Sequence, residues 1–409
     1  MDISFILVFL GVFLLSFILV SKKKENLPPG YYGFPVIGSW NLLRKLPGRR
    51  PHLVFYEESK RFGNIFRFYL GQQLVVVLSG FDIINEALVK KAEVFSDRLK
   101  GTNALLPKSD DEAGVIFCRY NSAWREARRF SLQALRDFGV GKTSIEERII
   151  IETEAVTSKL TSINGKPTAI DGLMQKLVGN VIYSIIFGKR YEYDDPNSDK
   201  VRNMSNVLVS GPGPLTPSNY MPKFISRFLN KQGVELEVKR TASVKAIRKY
   251  IYELIDEHEA TFDEDNIRDF VDLYIKTSRL KDESVKKIIT KGNMFRVIVD
   301  LFIAGSETTS STLDWAFFFM TEKPECSTKM SAGNLFGDKV IEYSERNKLV
   351  YVNATLMEIQ RISAIGMFCN TVPLECTPRN KRRYDTEAVT TFQKREHWFF
   401  LLFTSGQYG

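Results

Sequence analysis

The sequence predicts a mainly α fold with a minor β region, preceded by one transmembrane helix. Three observations carry that prediction. Ile3 to Val20 (ISFILVFLGVFLLSFILV) is an uncharged apolar run. Asn64 to Ser79 holds two short β-rich runs around a turn. From Phe81 onward, segment after segment places apolar residues at three- and four-residue spacing, the pattern of helices with one buried face.

The elements follow in chain order. As a helix the first run is roughly 27 Å long, close to the thickness of a bilayer's hydrocarbon core. Lys22, Lys23 and Lys24 follow it directly, and only Asp2 and the chain's amine stand before it. Basic residues on that side leave everything after Lys22 in the cytosol. A cleaved secretory signal wants basic residues ahead of the run, a shorter core and a small-residue cleavage site. The run has none of these, so residues 1–21 read as an uncleaved anchor. Residues 22–40 are a basic, proline-rich hinge, since Pro28, Pro29 and Pro35 forbid a continuous helix and favour stiff extended backbone. NIFRFYLGQQLVVVLS reads as a hairpin turning at Leu70-Gly71-Gln72-Gln73. Helices are expected over 81–95, 120–137, 144–163, 168–189, 240–261 and 266–280, then over 294–320 and 354–362. Ser210 to Asn219, with three prolines and two glycines, is a loop.

Composition narrows the class. A chain of 409 residues with 44% hydrophobic content has ample material for one large or two ordinary domains folding in water. The four cysteines show no CxxC spacing and, in a cytosolic body, stay reduced. The three histidines are too far apart in sequence to suggest a zinc cluster. A net charge of +9 suits an anionic membrane surface or an acidic protein partner. No interleaving of aromatic and basic residues points to nucleic acid, which is excluded as a partner.

Three stretches carry chemistry. In WREARRFSLQALRDFGVGKTSIEERI, Trp124 and Arg128 are four apart and share a helical face. An indole N–H beside a guanidinium can grip carboxylates or phosphates, although a solvated basic face accounts for the same pattern. Gly141-Lys142-Thr143 imitates the end of a P-loop, but Arg136 stands where its first glycine is required. In MFRVIVDLFIAGSETTSSTLDWAFFFM (294–320), Gly305 opens space for a close approach, and Glu307 and Thr308 put a carboxylate and a hydroxyl into an apolar helix. A small-residue helix crossing is the competing reading. Arg296, Asp300, Glu307 and Asp314 exclude a second membrane span. In ATLMEIQRI (354–362), Glu358 and Arg361 pair along one face, and their apolar neighbours predict a partly buried pair.

The order of these features resembles a microsomal cytochrome P-450. The proline-rich hinge, Phe95-Ser96-Asp97-Arg98, Trp124-x-x-x-Arg128, Ala304-Gly305-Ser306-Glu307-Thr308-Thr309 and Glu358-x-x-Arg361 carry the resemblance over residues 1 to about 378. RRFSLQALRDFGVGKTSIEERI is similar to the animal branch that oxidises drugs, steroids and fatty acids. The resemblance implies the cytochrome P-450 fold, with a catalytic domain over 41–378. It also implies a haem cofactor and electrons from NADPH through a reductase on the endoplasmic reticulum membrane. Trp124 and Arg128 would hold a haem propionate, and Ala304 and Gly305 would border the cofactor, Gly305 leaving room for dioxygen. Glu307 and Thr308 would relay protons, and Glu358 and Arg361 would be a structural pair. Substrates would be lipophilic small molecules entering around Val207 to Phe228.

One family feature is absent, the Phe-x-x-Gly-x-x-x-Cys loop whose thiolate binds the iron, so no metal ligand is assigned. Cys369 and Cys376 read as small buried residues. Residues 379–409 form an aberrant tail without the strand pattern the resemblance implies. Read from the third base of the Glu387 codon, EAVTTFQKREHW can encode Gly-Gly-Tyr-His-Ile-Pro-Lys-Lys-Gly-Thr-Leu-Val, whose Gly-Gly-Tyr-x-Ile-Pro-Lys portion the family carries here. A frameshift, or a misread gene, between about 379 and 387 would account for the tail. Two functions follow: a haem-thiolate monooxygenase, or a catalytically dead, haem-free membrane remnant that binds other proteins. The second reading also predicts exposed core along Phe295–Met320.

Overall fold

The computed structural model describes residues 11–12, 27–34, 36–46, 51–98, 114–116, 118–166, 170, 172–209, 231–280, 289–331, 341–363, 368–374 and 399–404. The predicted anchor lies outside them except for Gly11 and Val12, which are helical and exposed. Among the described residues no helix is long and apolar enough to cross a membrane. The predicted loop over 210–219, Cys376 and residues 379–398 also lie outside them. Backbone contacts divide the chain into one unit of residues 1–104, 212–237 and 366–409 and a second of 105–211 and 238–365.

The first unit is built on the predicted hairpin. Strand β1 (Ile65–Leu70) pairs antiparallel with β2 (Gln73–Ser79) across Gly71, whose φ of 58° suits the tight turn. Alternate residues Phe66, Phe68 and Leu70 face helix α1 (Pro51–Phe62), where Phe55 sits 5.6 Å from Phe68 and 6.2 Å from Phe66. On the opposite face Val76 and Leu78 bury against Ala87 and Phe95, so β2 is apolar on both sides. The expected helix over 81–95 is instead three short pieces, Phe81–Asn85, a π turn Glu86–Lys90 and Ala92–Phe95.

The hinge is part of this body from Pro29 onward. The Pro29 carbonyl accepts the Arg67 amide at 2.9 Å, the Tyr31 amide donates to the Arg67 carbonyl at 2.9 Å, and the Ser39 amide donates to the Tyr69 carbonyl at 2.8 Å. A proline can still accept from a neighbouring strand although it cannot donate, which places it at a sheet edge. The tail contributes as well. Strand β3 (Phe368–Leu374) runs parallel to β4 (Phe399–Thr404), and β4 lies antiparallel to β2, giving the order β1-β2-β4-β3. No strand was expected beyond residue 379, but FFLLFT is a continuous β-prone run.

The second unit is helical: α2 (Ser122–Asp137), α3 (Glu146–Ser162), α4 (Leu173–Phe187), α5 (Pro196–Val209), α6 (Lys231–Ala260, of which Val238 onward belongs here) and α7 (Phe270–Ser278). Then come α8 (Lys291–Phe302), a π turn Ile303–Glu307, α9 (Thr308–Glu322), α10 (Pro324–Met330) and α11 (Val350–Ser363). Side-chain caps fix three starts: Asn121 accepts from the Trp124 amide, Asp269 from the Asp272 amide and Thr290 from the Asn293 amide. Neither α5 nor α10 was predicted. The apolar residues of α5 that reach the core are Val201 and Met204, and α10 buries nothing, so periodicity had little to register. Helix α4 packs on α3, α5, α7, α8 and α9. Around it Tyr183, Phe187, Ile255, Phe270, Ile298 and Phe302 close the core, each at most 1% exposed.

Candidate active site

The long helix changes pitch at its motif. Residues Ile303–Glu307 form a π turn between α8 and α9, a feature that often accompanies functional sites. The Thr308 hydroxyl donates to the Ala304 carbonyl at 2.6 Å, a side-chain bond that competes with the backbone ladder. The motif residues then part company. Ala304 and Thr308 lie on an exposed stripe that continues to Trp315. Ser306 and Ser310 point into the core at 2% and 0% exposure. A Cβ on Gly305 would meet the Ile182 side chain of α4 at 2.7 Å. On that side the glycine serves a close helix crossing, the competing reading of this motif. Glu307 is half-buried, and its Oε2, like the Ser306 hydroxyl, is buried with no hydrogen-bond partner among the described residues. Such atoms cost free energy unless something polar completes them.

One turn earlier, the charges that excluded a membrane span hold a neighbouring segment. Asp300, 3% exposed, accepts through Oδ2 from the amides of Val115 at 2.7 Å and Ile116 at 2.9 Å. Asn293, seven residues before it on the same face, accepts from the Gly114 amide at 2.8 Å. Gly114 has φ of 65°, and a Cβ there would come within 2.4 Å of Asp300 Oδ2, so the approach requires glycine. Burial pushes the Asp300 carboxyl up, and the Arg296 charge and the two amides oppose that shift. None of this was read from the sequence as a site. The signal available was a seven-residue spacing of polar side chains in an apolar helix.

Trp124 and Arg128 meet as predicted, the guanidinium 5.7 Å from the indole ring centre. The indole N–H, however, donates to the Val115 carbonyl at 2.9 Å. Trp124 thus joins α2 to the segment that Asp300 holds, and the exposed Arg128 is the charge this face offers an anion. The pair Glu358–Arg361 also forms, with Arg361 Nε and Nη2 donating to the two carboxylate oxygens at 2.7 and 2.6 Å. Its expected burial is wrong. The side chains are 53% and 46% exposed, because α11 buries only Ile359 and turns Leu356, Met357 and Ile362 outward. An exposed pair contributes on the order of 0–1 kcal/mol.

The sequence pattern of the cytochrome P450 family matches residues 28–372, most of the chain. The chain belongs to the cytochrome P450 family. It is 34% identical over 366 residues to cytochrome P450 2B4 of Oryctolagus cuniculus, covering 88% of this chain and 72% of that protein. It is 32% identical over 368 residues to cytochrome P450 2U1 of Rattus norvegicus (84% and 68% covered) and 31% over 367 residues to cytochrome P450 2H2 of Gallus gallus (87% and 71%). As a cytochrome P450 it is an oxidoreductase of the monooxygenase class, with haem as cofactor and NADPH-derived electrons delivered through a reductase. The match begins at residue 28, where the hinge joins the sheet. The haem-free reading gains no support from these relatives.

The residues present fit haem on two sides. Arg128 offers an exposed cation to a propionate. The Ala304–Thr308 stripe, flanked by the unpartnered Glu307 Oε2, offers a small apolar surface with a hydroxyl and a carboxylate beside it. On the thiolate side, none of the four cysteines in the sequence stands in the family's loop context.

Proposed function

We propose that this cytochrome P450 inserts one oxygen atom from dioxygen into lipophilic small molecules of the xenobiotic, steroid or fatty-acid kind. It works at the cytosolic face of the endoplasmic reticulum, held by a single helix over residues 1–21, beside the NADPH-dependent reductase. The observation that carries this reading is the split of the motif. Ala304 and Thr308 stand on the open stripe, and Glu307 lies between that stripe and the core with one buried oxygen unsatisfied among the described residues. Haem, when bound, supplies the activation of dioxygen. The protein's share is position and protons. Ala304, with a single methyl, keeps the stripe low beside Thr308, while Gly305 lets α4 close behind it. The Thr308 hydroxyl donates a hydrogen bond to the Ala304 carbonyl, which leaves its oxygen lone pairs to accept a bond from the reacting side. Glu307 brings protons to that hydroxyl from solvent. Arg128 holds a propionate, and Trp124 steadies the 114–116 segment.

Purified chain, reduced and exposed to carbon monoxide, tests whether haem is bound and what ligates its iron; a preparation with no haem absorbance overturns the reading. Glu307→Gln and Thr308→Ala test the proton path. Product formed per NADPH falls on the order of a hundredfold or more with haem content unchanged. We further propose a frameshift between about 379 and 387; reading the other frame from Glu387 restores the family's Gly-Gly-Tyr-x-Ile-Pro-Lys stretch. Transcript sequencing decides it, and an in-frame message through this stretch refutes it.

A further inference from the structure

His258, 3% exposed, stands near the end of α6 between two acceptors. Its Nδ1 is 2.7 Å from the Leu254 carbonyl one turn back, and its Nε2 is 2.9 Å from Asp269 Oδ2. A carbonyl oxygen has no proton to give. The carboxylate of Asp269 is already an acceptor through its other oxygen, from the Asp272 amide at 2.9 Å. A neutral imidazole carries one N–H and leaves one of these contacts as lone pair against lone pair. Two N–H groups satisfy both.

The charged groups around the ring are consistent with a cation there. From the N-terminus of α7 come Asp269 and Asp272, and Arg268 grips Asp272 with bonds of 2.6 and 2.9 Å. On α6 itself Glu257 is tied to Lys189, from the segment after α4, at 2.7 Å. Helix α4 presents only the Phe187 ring, 6.0 Å away. Within the buried group the charges of His258 and Arg268 balance those of Asp269 and Asp272. His258, Asp269 and Asp272 also lie close enough together to hold a metal ion. Their ligand atoms are instead committed to one another, to the amides of Asp272 and Arg268, and to the Arg268 guanidinium.

We propose that His258 is held as an imidazolium and forms a pH-sensitive clasp joining the end of α6 to the start of α7. Burial by itself lowers the pKa of the ring. The Asp269 hydrogen bond and charge, the Leu254 carbonyl and the Asp272 charge outweigh it and raise the pKa above 6.5. A folded-state pKa raised above the unfolded one gives a contribution that is complete below 6.5 and lost as pH rises through the folded value. Loss of the proton leaves one of the two acceptors, the Leu254 carbonyl or Asp269, facing a ring lone pair in a dry site and loosens the 258–272 corner. That corner supports α7, which packs on α2 and α4.

The sequence has only three histidines. In full-length protein carrying His52→Gln and His397→Gln, His258 is the one remaining ring, and its side-chain nitrogen resonances report its state directly. Expected are two protonated ring nitrogens at pH 6, a titration midpoint above 6.5, and faster exchange of the Arg268 and Asp272 amides above that midpoint than base catalysis alone produces. A neutral single tautomer at pH 6, a midpoint below 6.5, or amide exchange that follows base catalysis alone overturns the proposal. None of these readouts depends on haem, so the result stands apart from the monooxygenase reading.

Discussion

The two halves of the long helix are similar in composition and opposite in environment. Helix α8 buries Asn293 through Asp300 without a break, including a full arginine and a carboxylate. Helix α9 carries Trp315, Phe317 and Phe318 at 41%, 37% and 52% exposure and buries only Ser310. Hydrophobicity therefore does not decide which half is inside; the neighbours do. Helix α8 has α4 beside it, the 114–116 segment on its polar face and α6 across it, where Tyr252 stacks on Phe295 at 5.4 Å. Helix α9 has α4 and α11, and α11 buries only one of its own residues. The Asp300 carboxylate in α8 is tolerated because two backbone amides meet it, and aromatic rings in α9 stay in the open because nothing among the described residues covers them.

Four substitutions press on that contrast. The largest effect belongs to Phe302→Ala in α8, which empties a fully buried site packed on Tyr183 and Phe187 at 6.2 and 6.4 Å. About 4 kcal/mol of stability is expected to be lost in denaturant unfolding; a loss like that of an α9 ring would erase the distinction. Asp300→Ala strands the amides of Val115 and Ile116. About 3 kcal/mol is the expected cost, with hydrogen exchange at Val115 and Ile116 rising by the corresponding factor. Trp124→Phe removes one hydrogen bond to the same segment and costs about 1 kcal/mol. It should also quicken exchange locally while leaving α9 unchanged. Phe318→Ala, out in the open on α9, is expected within about 0.5 kcal/mol of the parent.

Helices with a dense apolar stripe were legible in the sequence. The expected 120–137, 144–163 and 168–189 became 122–137, 146–162 and 173–187, and the hairpin turned at Gly71 and Gln72 as predicted. Helix α5 was lost because too few of its described side chains reach the core, and β4 because its β-prone run lies in the tail past residue 379, where no strand pattern was expected. At the site, spacing was enough to bring Trp124 to Arg128 and Glu358 to Arg361, since both pairs are set by helix geometry alone. What it missed depends on tertiary placement. The partner of the Trp124 N–H, the crossing at Gly305 and the hold of Asp300 on Val115 each involve a residue far away in the chain. The exposure of Glu358 was missed for the same reason, because apolar neighbours in sequence need not face the same way.

The π turn at Ile303–Glu307 acts as a phase shifter. Each α-helical residue turns the next by about 100°, so one residue taken into a wider loop rotates everything downstream by roughly that angle relative to an unbroken helix. Phe302 and Thr308 belong to helical segments set at different angular origins. Deleting a single residue between 303 and 307 would bring the two origins together. Thr308 and Trp315 would swing off the open stripe, and α9 would offer α4 a different set of side chains. The Thr308 hydroxyl and the packing of the whole second half are thus set by the same local irregularity, and neither can be re-aimed without the other.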